Sequence, residues 1–332
     1  MLIRSIDKGY CFSGFGQEKT KIHTIYNKSV NNPPKRDNMN IGICIINYNS
    51  YSDTIECIES LLSQDYRDFS IIIVDNASTN ESVDVLSRYM SEQAIDFEFR
   101  HQDDDRIANI DTNKVWLIAA KENKGFSAGN NIAMRFVKDN LPQITHLLIL
   151  NNDTVVEPHF LSTMQREYSR HCSYAKQRIA MGTTEVNYYT RNIIHRGTNY
   201  LNLLSGLSLP YPVVPYFRYI SGACLMVDVE APLMCDNFFL YYDDVEYCFI
   251  LRQCGYRLCV ASDARYFHKV SATTSQSTAS EEYLFTSMWR FFRRHYRLYV
   301  PLVFAIRFVE HIILCKKRKN SVMLSTFKDK KK

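Results

Sequence analysis

The chain has 332 residues, 46% of them apolar, and a formal net charge of +5; it can bury one large core or two smaller ones, which excludes disorder throughout. Ten cysteines without a CxxC pair or zinc-finger spacing exclude a metal-finger module, and Cys44, Cys224 and Cys259 sit in apolar runs, as expected of reduced core thiols in a cytosolic protein. The basic excess is local, since residues 290–332 hold thirteen Lys or Arg against Glu310 and Asp329, and these cations flank an apolar run rather than exposed aromatics, which argues against nucleic-acid binding.

Residues 1–40 are polar and mixed, carry Asn31-Asn32-Pro33-Pro34 and contain no basic stretch followed by an apolar run of leader length. They read as a flexible N-terminal extension, with Met39 placed as an alternative translation start. Apolar runs at 41–46, 69–74, 115–119 and 146–150 then alternate with helical periodicity at 53–63, 81–90 and 127–137. That alternation predicts an α/β fold in which a mixed, mostly parallel central sheet is flanked by helices. Ligands of such sheets bind beyond the carboxyl ends of the strands. Here those ends read Asn47-Tyr48-Asn49, Asp75-Asn76, Glu122-Asn123 and Asn151-Asn152-Asp153.

The charged stretch 97–114, with Asp103-Asp104-Asp105, reads as a solvated loop. Residues 184–215, broken by Pro210, Pro212 and Pro215, read as irregular or β-rich and suit an acceptor-facing region. A strand is expected at 219–227, and a helix at 249–254 after the aromatic segment 238–248. Residues 271–280, almost wholly Ser, Thr and Ala, read as a mobile loop. The apolar run 298–314 is interrupted by Pro301, Arg307 and Glu310, whereas about 20 apolar residues are needed to span a bilayer. The basic amphipathic tail 290–332 therefore fits a membrane interface, or a helix packed on the core with a solvated Lys tail.

Several side chains have types and positions that suit chemistry. Asp243-Asp244, among Phe and Tyr, is how a general base is housed, because burial raises a carboxylate's proton affinity; the alternative is a solvated helix N-terminus. Asp153, at the rim after the 146–150 run, offers a hard oxygen to Mg²⁺ or Mn²⁺, or else caps a helix starting near residue 157. His268 could complete such a site or be a core histidine. Asp75 could bind a nucleotide or make an Asx turn. Asn123-Lys124-Gly125, at a helix start, could face phosphates with Lys124 or be an ordinary cap. Neither a G-x-G-x-x-G dinucleotide fingerprint nor a Walker sequence is present.

In this order the segments Ile45-Ile46-Asn47-Tyr48-Asn49, Val74-Asp75-Asn76-Ala77-Ser78, Asn123-Lys124-Gly125-Phe126, Leu150-Asn151-Asn152-Asp153-Thr154, Gly222-Ala223-Cys224-Leu225-Met226, Phe239-Leu240-Tyr241-Tyr242-Asp243-Asp244-Val245-Glu246 and His268 are similar to those of the family 2 glycosyltransferases. The chain most resembles the bacterial rhamnosyltransferase-like members, over residues 41–289. The resemblance implies a GT-A fold, with a nucleotide-binding half at 41–153, an acceptor and catalytic half at 154–289 and a C-terminal helical extension. It implies nucleotide binding by Asp75 in a set with Asn47, Tyr48, Asn49, Asn76, Asn123, Lys124 and Asn152. It further implies metal binding by Asp153 and His268, and base catalysis by Asp244 with Asp243 orienting acceptor or sharing the proton. Two departures stand out: Asn151 replaces the first Asp of the DxD motif, and Asp243 replaces the Glu that usually precedes the base.

The expected activity is inverting transfer of a sugar from a dTDP- or UDP-linked donor, with dTDP-rhamnose favoured, to a saccharide or lipid-linked acceptor in surface polysaccharide synthesis. The protein is expected in the cytoplasm, peripheral on the inner membrane face. Two readings from other classes stay open: a non-catalytic nucleotide- or partner-binding module of the same fold, and a sugar nucleotidyltransferase.

Overall fold

The computed structural model describes residues 39–104, 114–175, 177–269, 278–310 and 312. The expected extension up to residue 38, Asp105 of the acidic triplet and residues 271–277 of the Ser/Thr-rich loop lie outside them.

Strands β1 (Ile41–Asn47), β2 (Phe69–Asp75), β4 (Val115–Ala119) and β5 (His146–Asn151) form the expected parallel ladder, joined through α1 (Tyr51–Leu62), α2 (Ser82–Glu92) and α3 (Phe126–Asn140). Their runs are apolar on both faces because both faces are covered. Ile41, Ile43 and Ile45 pack with Cys57, Ile58 and Leu61 of α1 and with Leu86 and Met90 of α2. Cys44, Ile72 and Val74 point the other way, onto Ala133, Met134 and Val137 of α3. Burial pushes the Cys44 thiol up to about 12, so it stays protonated as a small apolar core group.

Three expectations need correction. Residues Phe97–His101 are not solvated loop but edge strand β3, which pairs parallel with β4. Their side chains alternate and stay half-exposed, which hides an edge strand from a search for apolar runs. The strand expected at 219–227 is two strands, β11 (Tyr216–Tyr219) and β12 (Cys224–Asp228), separated at Gly222. The helix expected at 249–254 begins at Asp243, so α5 (Asp243–Gln253) carries both candidate carboxylates in its first turn.

The regularity also continues where the sequence loosens. After β6 (Thr154–Val156) and α4 (Phe160–Ala175), strand β7 (Ile179–Asn187) pairs with β8 (Ile193–Arg196), with β12 and with the twelve-residue β13 (Arg257–His268). The large sheet runs β3-β4-β2-β1-β5-β12-β7-β13-β6, with β8 on β7. Its β3-to-β5 half is parallel throughout, and β12 enters antiparallel to β5. A small sheet, β10-β9-β11, is built from β9 (Asn199–Asn202), β10 (Ser208–Leu209) and β11, so the Pro-rich region is β-rich as expected. Helix α6 (Thr278–His295) covers the α5 side, pinned by buried Glu246, which lies 2.7 Å from His295 Nε2 and 3.0 Å from Arg294.

Candidate active site

The carboxyl ends of β1 and β2 make a polar floor. Asn47, fully buried, donates from Nδ2 to Asp75 Oδ2 at 2.7 Å and accepts from Thr54 Oγ1 at 2.8 Å. Asp75 also accepts from the Ser78 backbone N–H at 2.9 Å and from its hydroxyl at 2.7 Å. The Asx turn and the strand-end carboxylate are therefore one arrangement. Asn49 holds the same turn by accepting from Thr79 N–H at 2.8 Å, while Tyr48 stands exposed beside it. Asn152 donates to Thr54 Oγ1 at 3.0 Å, which ties the end of β5 to this floor.

Asn76 carries the second loop. Its Nδ2 donates to Asn123 Oδ1 at 3.0 Å and to Gly125 O at 3.2 Å. Lys124 is well exposed, 2.5 Å from Glu122, so in this arrangement its charge is compensated by its neighbour. Gly125 caps α3 at φ 92°, and a Cβ there would lie 2.2 Å from Phe239 O. The next residue donates from Phe126 N–H to that oxygen at 3.0 Å, joining this loop to the aromatic turn. Gly125→Ala is expected to cost stability well beyond the roughly 1–3 kcal/mol of backbone strain alone. Gly255, at φ 84° with open space around it, is the control that pays only the dihedral cost. Denaturant midpoints of the two alanine variants should differ, with Gly125→Ala much the lower; equal midpoints would remove the close approach as the reason for glycine.

The turn before α5 is strained. Tyr241 and Tyr242 both adopt left-handed backbone, at φ 64° and 59°, a conformation that costs bulky residues about 1–3 kcal/mol each. Surrounding bonds hold it. Tyr242 OH donates to Gly206 O at 2.6 Å, Ser287 Oγ donates to Leu240 O at 2.9 Å, and Phe239 stacks on Tyr283 at 4.7 Å. The result presents Asp243 and Asp244 side by side. Asp244 accepts from Val245 N–H at 2.7 Å and Gly222 N–H at 3.3 Å. A side chain at 222 would crowd Asp244 and Phe126, 3.3 Å from each, which explains the glycine there. Desolvation is the leading effect on both carboxyls and pushes both up. The charge of Asp244 raises Asp243 further, while the two N–H donors and His195 oppose the rise at Asp244.

Asp153 and His268 meet, although 115 residues separate them: His268 Nε2 lies 3.1 Å from Asp153 Oδ1. Register explains this, because β6 pairs with β13 and sets Thr154 opposite His268. Since β6 follows Asp153 directly and α4 begins only at Phe160, Asp153 is not a helix cap. The sequence reading missed Glu185, buried on β7, which lies 2.7 Å from His268 Nδ1 and accepts from Tyr266 OH at 2.7 Å. His195 Nε2 comes within 2.6 Å of Glu185 as well, though poorly aligned for a hydrogen bond. Burial would raise the Glu185 carboxyl, but His195 and His268 outweigh it and hold the group well below the usual range. Burial opposes protonation of His268, yet Asp153 and Glu185 push it up to about 10. A Glu inside the apolar strand 179–187 was the available signal.

These three regions share one end of the sheet. Asn151 N–H donates to Ala223 O at 3.0 Å, so the Asp153 segment borders the Gly222 turn that holds Asp244. Beside them a cleft of about 310 Å³ is lined by Ile193, Ile194, His195, Arg196, Tyr200 and Pro210, among others. Among the described residues no three His, Cys, Asp or Glu side chains are grouped to hold a metal ion.

Known proteins resemble this chain in sequence and fold. The sequence model of glycosyl transferase family 2 matches residues 42–221. Agl10, a hexosyltransferase of low-salt glycan biosynthesis from Haloferax volcanii, is 24% identical over 247 residues, 72% of this chain and 70% of its own length. The glycosyltransferase GlyG of Streptococcus pneumoniae is 23% identical over 128 residues, 38% of this chain and 34% of GlyG. Among solved structures, the mannosyltransferase PcManGT of Pyrobaculum calidifontis, in complex with GDP-Man and Mn²⁺, has a TM-score of 0.50 at 11% identity, covering 91% of this chain and 86% of that one. That likeness concerns the fold, and with the sheet described above it makes this a GT-A fold. The family match spans more than half of the sequence and takes in the polar floor, the Asn76-tied loop and the Asp153 segment: the chain belongs to glycosyl transferase family 2.

Proposed function

We propose that the protein is an inverting glycosyltransferase that moves a hexosyl unit from a nucleoside-diphosphate sugar to an acceptor hydroxyl in surface polysaccharide synthesis. The observation that carries this reading is the convergence of a strand-end nucleotide floor, the Asp153–His268 contact and a desolvated Asp244 at one end of the sheet. A hexosyltransferase relative and a structural neighbour solved with GDP-Man and Mn²⁺ support the donor class. The donor proposed from the motif set is dTDP-rhamnose, because the Asn151-x-Asp153 form resembles that of rhamnosyltransferase-like members.

Asp244 takes the proton of the acceptor hydroxyl as that oxygen attacks the anomeric carbon from the face opposite the departing diphosphate. Its raised proton affinity makes it a stronger base than a free carboxylate. Asp243 keeps acceptor and base aligned and shares the proton. The floor of Asn47, Asp75 and Asn152 is already braced by internal hydrogen bonds, so it meets a nucleotide without reordering.

The donor set suits a divalent cation: Asp153 offers a carboxylate oxygen, the buried Asn151 Oδ1 has no hydrogen-bond partner in the protein, and His268 would offer Nε2 once an ion displaced the proton it shares with Asp153. The chemistry that Mg²⁺ or Mn²⁺ supplies when bound is neutralisation of charge on the departing diphosphate. Asp153 and His268 would hold it, and Glu185, hydrogen-bonded to His268 Nδ1, fixes the ring.

The test is a product analysis. The protein is incubated with dTDP-rhamnose, UDP-hexoses or GDP-mannose and saccharide or lipid-linked acceptors, and released nucleoside diphosphate and product configuration are read by chromatography and NMR. Diphosphate release with an inverted anomeric centre is expected. Consumption of a nucleoside triphosphate with a sugar phosphate would replace the proposal by a nucleotidyltransferase, and retained configuration would remove Asp244 as a simple base.

A further inference from the structure

Residues 300–310 form a helix after the short turn Arg297–Tyr299, and its faces are inverted relative to a surface helix in water. Every exposed residue from 301 to 309 is apolar: besides Pro301, these are Leu302, Phe304, Ala305, Ile306, Phe308 and Val309. At 100° per residue they cover one broad arc, with Phe304 and Phe308 stacked at 6.1 Å. Leu298, one turn earlier, is 86% exposed. Arg307 and Glu310, which interrupt the run and leave it too short to span a bilayer, lie off that arc. Arg307 pairs with Glu310 at 2.6 Å, and its charge reaches buried Tyr242. Val303 points inward, against Met288 and Phe292 of α6.

An apolar face of this breadth needs a cover, and the surrounding charge indicates which. Arg293 and Arg297 are exposed immediately before it, and residues 313–332 hold eight Lys or Arg against one Asp. We infer that this face docks on an anionic lipid surface, with its apolar side chains in the headgroup and acyl boundary and the flanking cations on lipid phosphates. It lies in the surface rather than across it, because among the described residues no helix is long and apolar enough to span. Helix α6, against which Val303 of the 300–310 helix packs, also holds the turn before Asp243 through Ser287 on Leu240 and Tyr283 on Phe239. Docking thus brings the turn to the lipid surface, which fits a lipid-linked acceptor. The docking inference stands apart from the transfer reading, because vesicle binding requires no turnover.

The test is flotation of the full chain with phosphatidylcholine vesicles and with equimolar phosphatidylcholine and phosphatidylglycerol vesicles. Partitioning to the anionic vesicles should be at least about tenfold stronger and should weaken with salt. Phe308→Ser with Val309→Ser, the two most exposed large side chains from 301 to 309, should reduce it at least about tenfold at an unchanged melting temperature. Arg293→Glu with Arg297→Glu should remove most of the anionic preference, which keeps the test available if the serine variant folds poorly. Absence of vesicle binding, equal binding to neutral vesicles, or binding that survives both variants would overturn the inference. So would light scattering that shows a dimer which the serine variant converts to monomer, since the face would then belong to a second copy.

Discussion

Asp244→Asn is expected to lower kcat/KM for glycosyl transfer by about 10²–10⁴ while nucleotide affinity stays at the wild-type value. The substitution keeps the shape and one acceptor oxygen, enough for the shorter bond from Val245 N–H at 2.7 Å, while the longer one from Gly222 N–H at 3.3 Å to the other oxygen is lost, so it removes the base with little disturbance of the turn. Steady-state kinetics paired with calorimetric nucleotide binding make the check, and near-normal transfer by the variant would end the base assignment. pH gives a second reading. Desolvation raises Asp244, so the deprotonated base is lost at a higher pH than for a free carboxylate of about 4. The acid limb of kcat/KM should therefore lie above that range, with activity falling as pH falls through it. Asp243, raised further than Asp244 by burial and by the charge of Asp244, is still protonated where Asp244 titrates, so Asp243→Asn should leave the acid limb near its wild-type position. In stability the sign is opposite. A carboxyl raised in the fold favours the native state fully below its unfolded value, and that contribution is lost as pH rises through the folded value, so Asp243→Asn should stabilise the protein at neutral pH.

Asp153→Ala should abolish the metal dependence of nucleotide binding, the second large effect. Titrations of dTDP, UDP and GDP with and without Mn²⁺ should show one nucleotide bound at least about tenfold more tightly with the ion by the wild type, and no such difference for the variant. Since Asp153 also holds His268, Asp153→Asn separates charge from geometry by keeping an acceptor at the same place. Metal-dependent binding that persists in both variants would put the cation elsewhere. Mn²⁺-independent binding by the wild type would retain the nucleotide floor and withdraw the cation.

Periodicity was enough for the parallel ladder because β1, β2, β4 and β5 are buried on both faces, and such strands announce themselves as unbroken apolar runs. The residues at their carboxyl ends were legible for the same reason: a strand's end places them at the rim whatever happens later in the chain. β3 escaped notice as a half-exposed edge, and β13 because its 261–265 irregularity interrupts alternation. The start of α5 was set too late, since two left-handed tyrosines make a turn that no propensity favours and only packing on Gly206 and α6 sustains.

The sequence by itself determined the α/β alternation, the family pattern and the residue types needed for base and metal chemistry. Only the tertiary structure decided that His268 meets Asp153 through the β6–β13 register, that Glu185 and His195 stand behind them, and that Arg307 and Glu310 turn off an apolar face. Contacts across more than a hundred residues depend on strand order and register, which antiparallel entry of β12 and parallel pairing of β7 with β13 fix in space. Local periodicity carries none of that information.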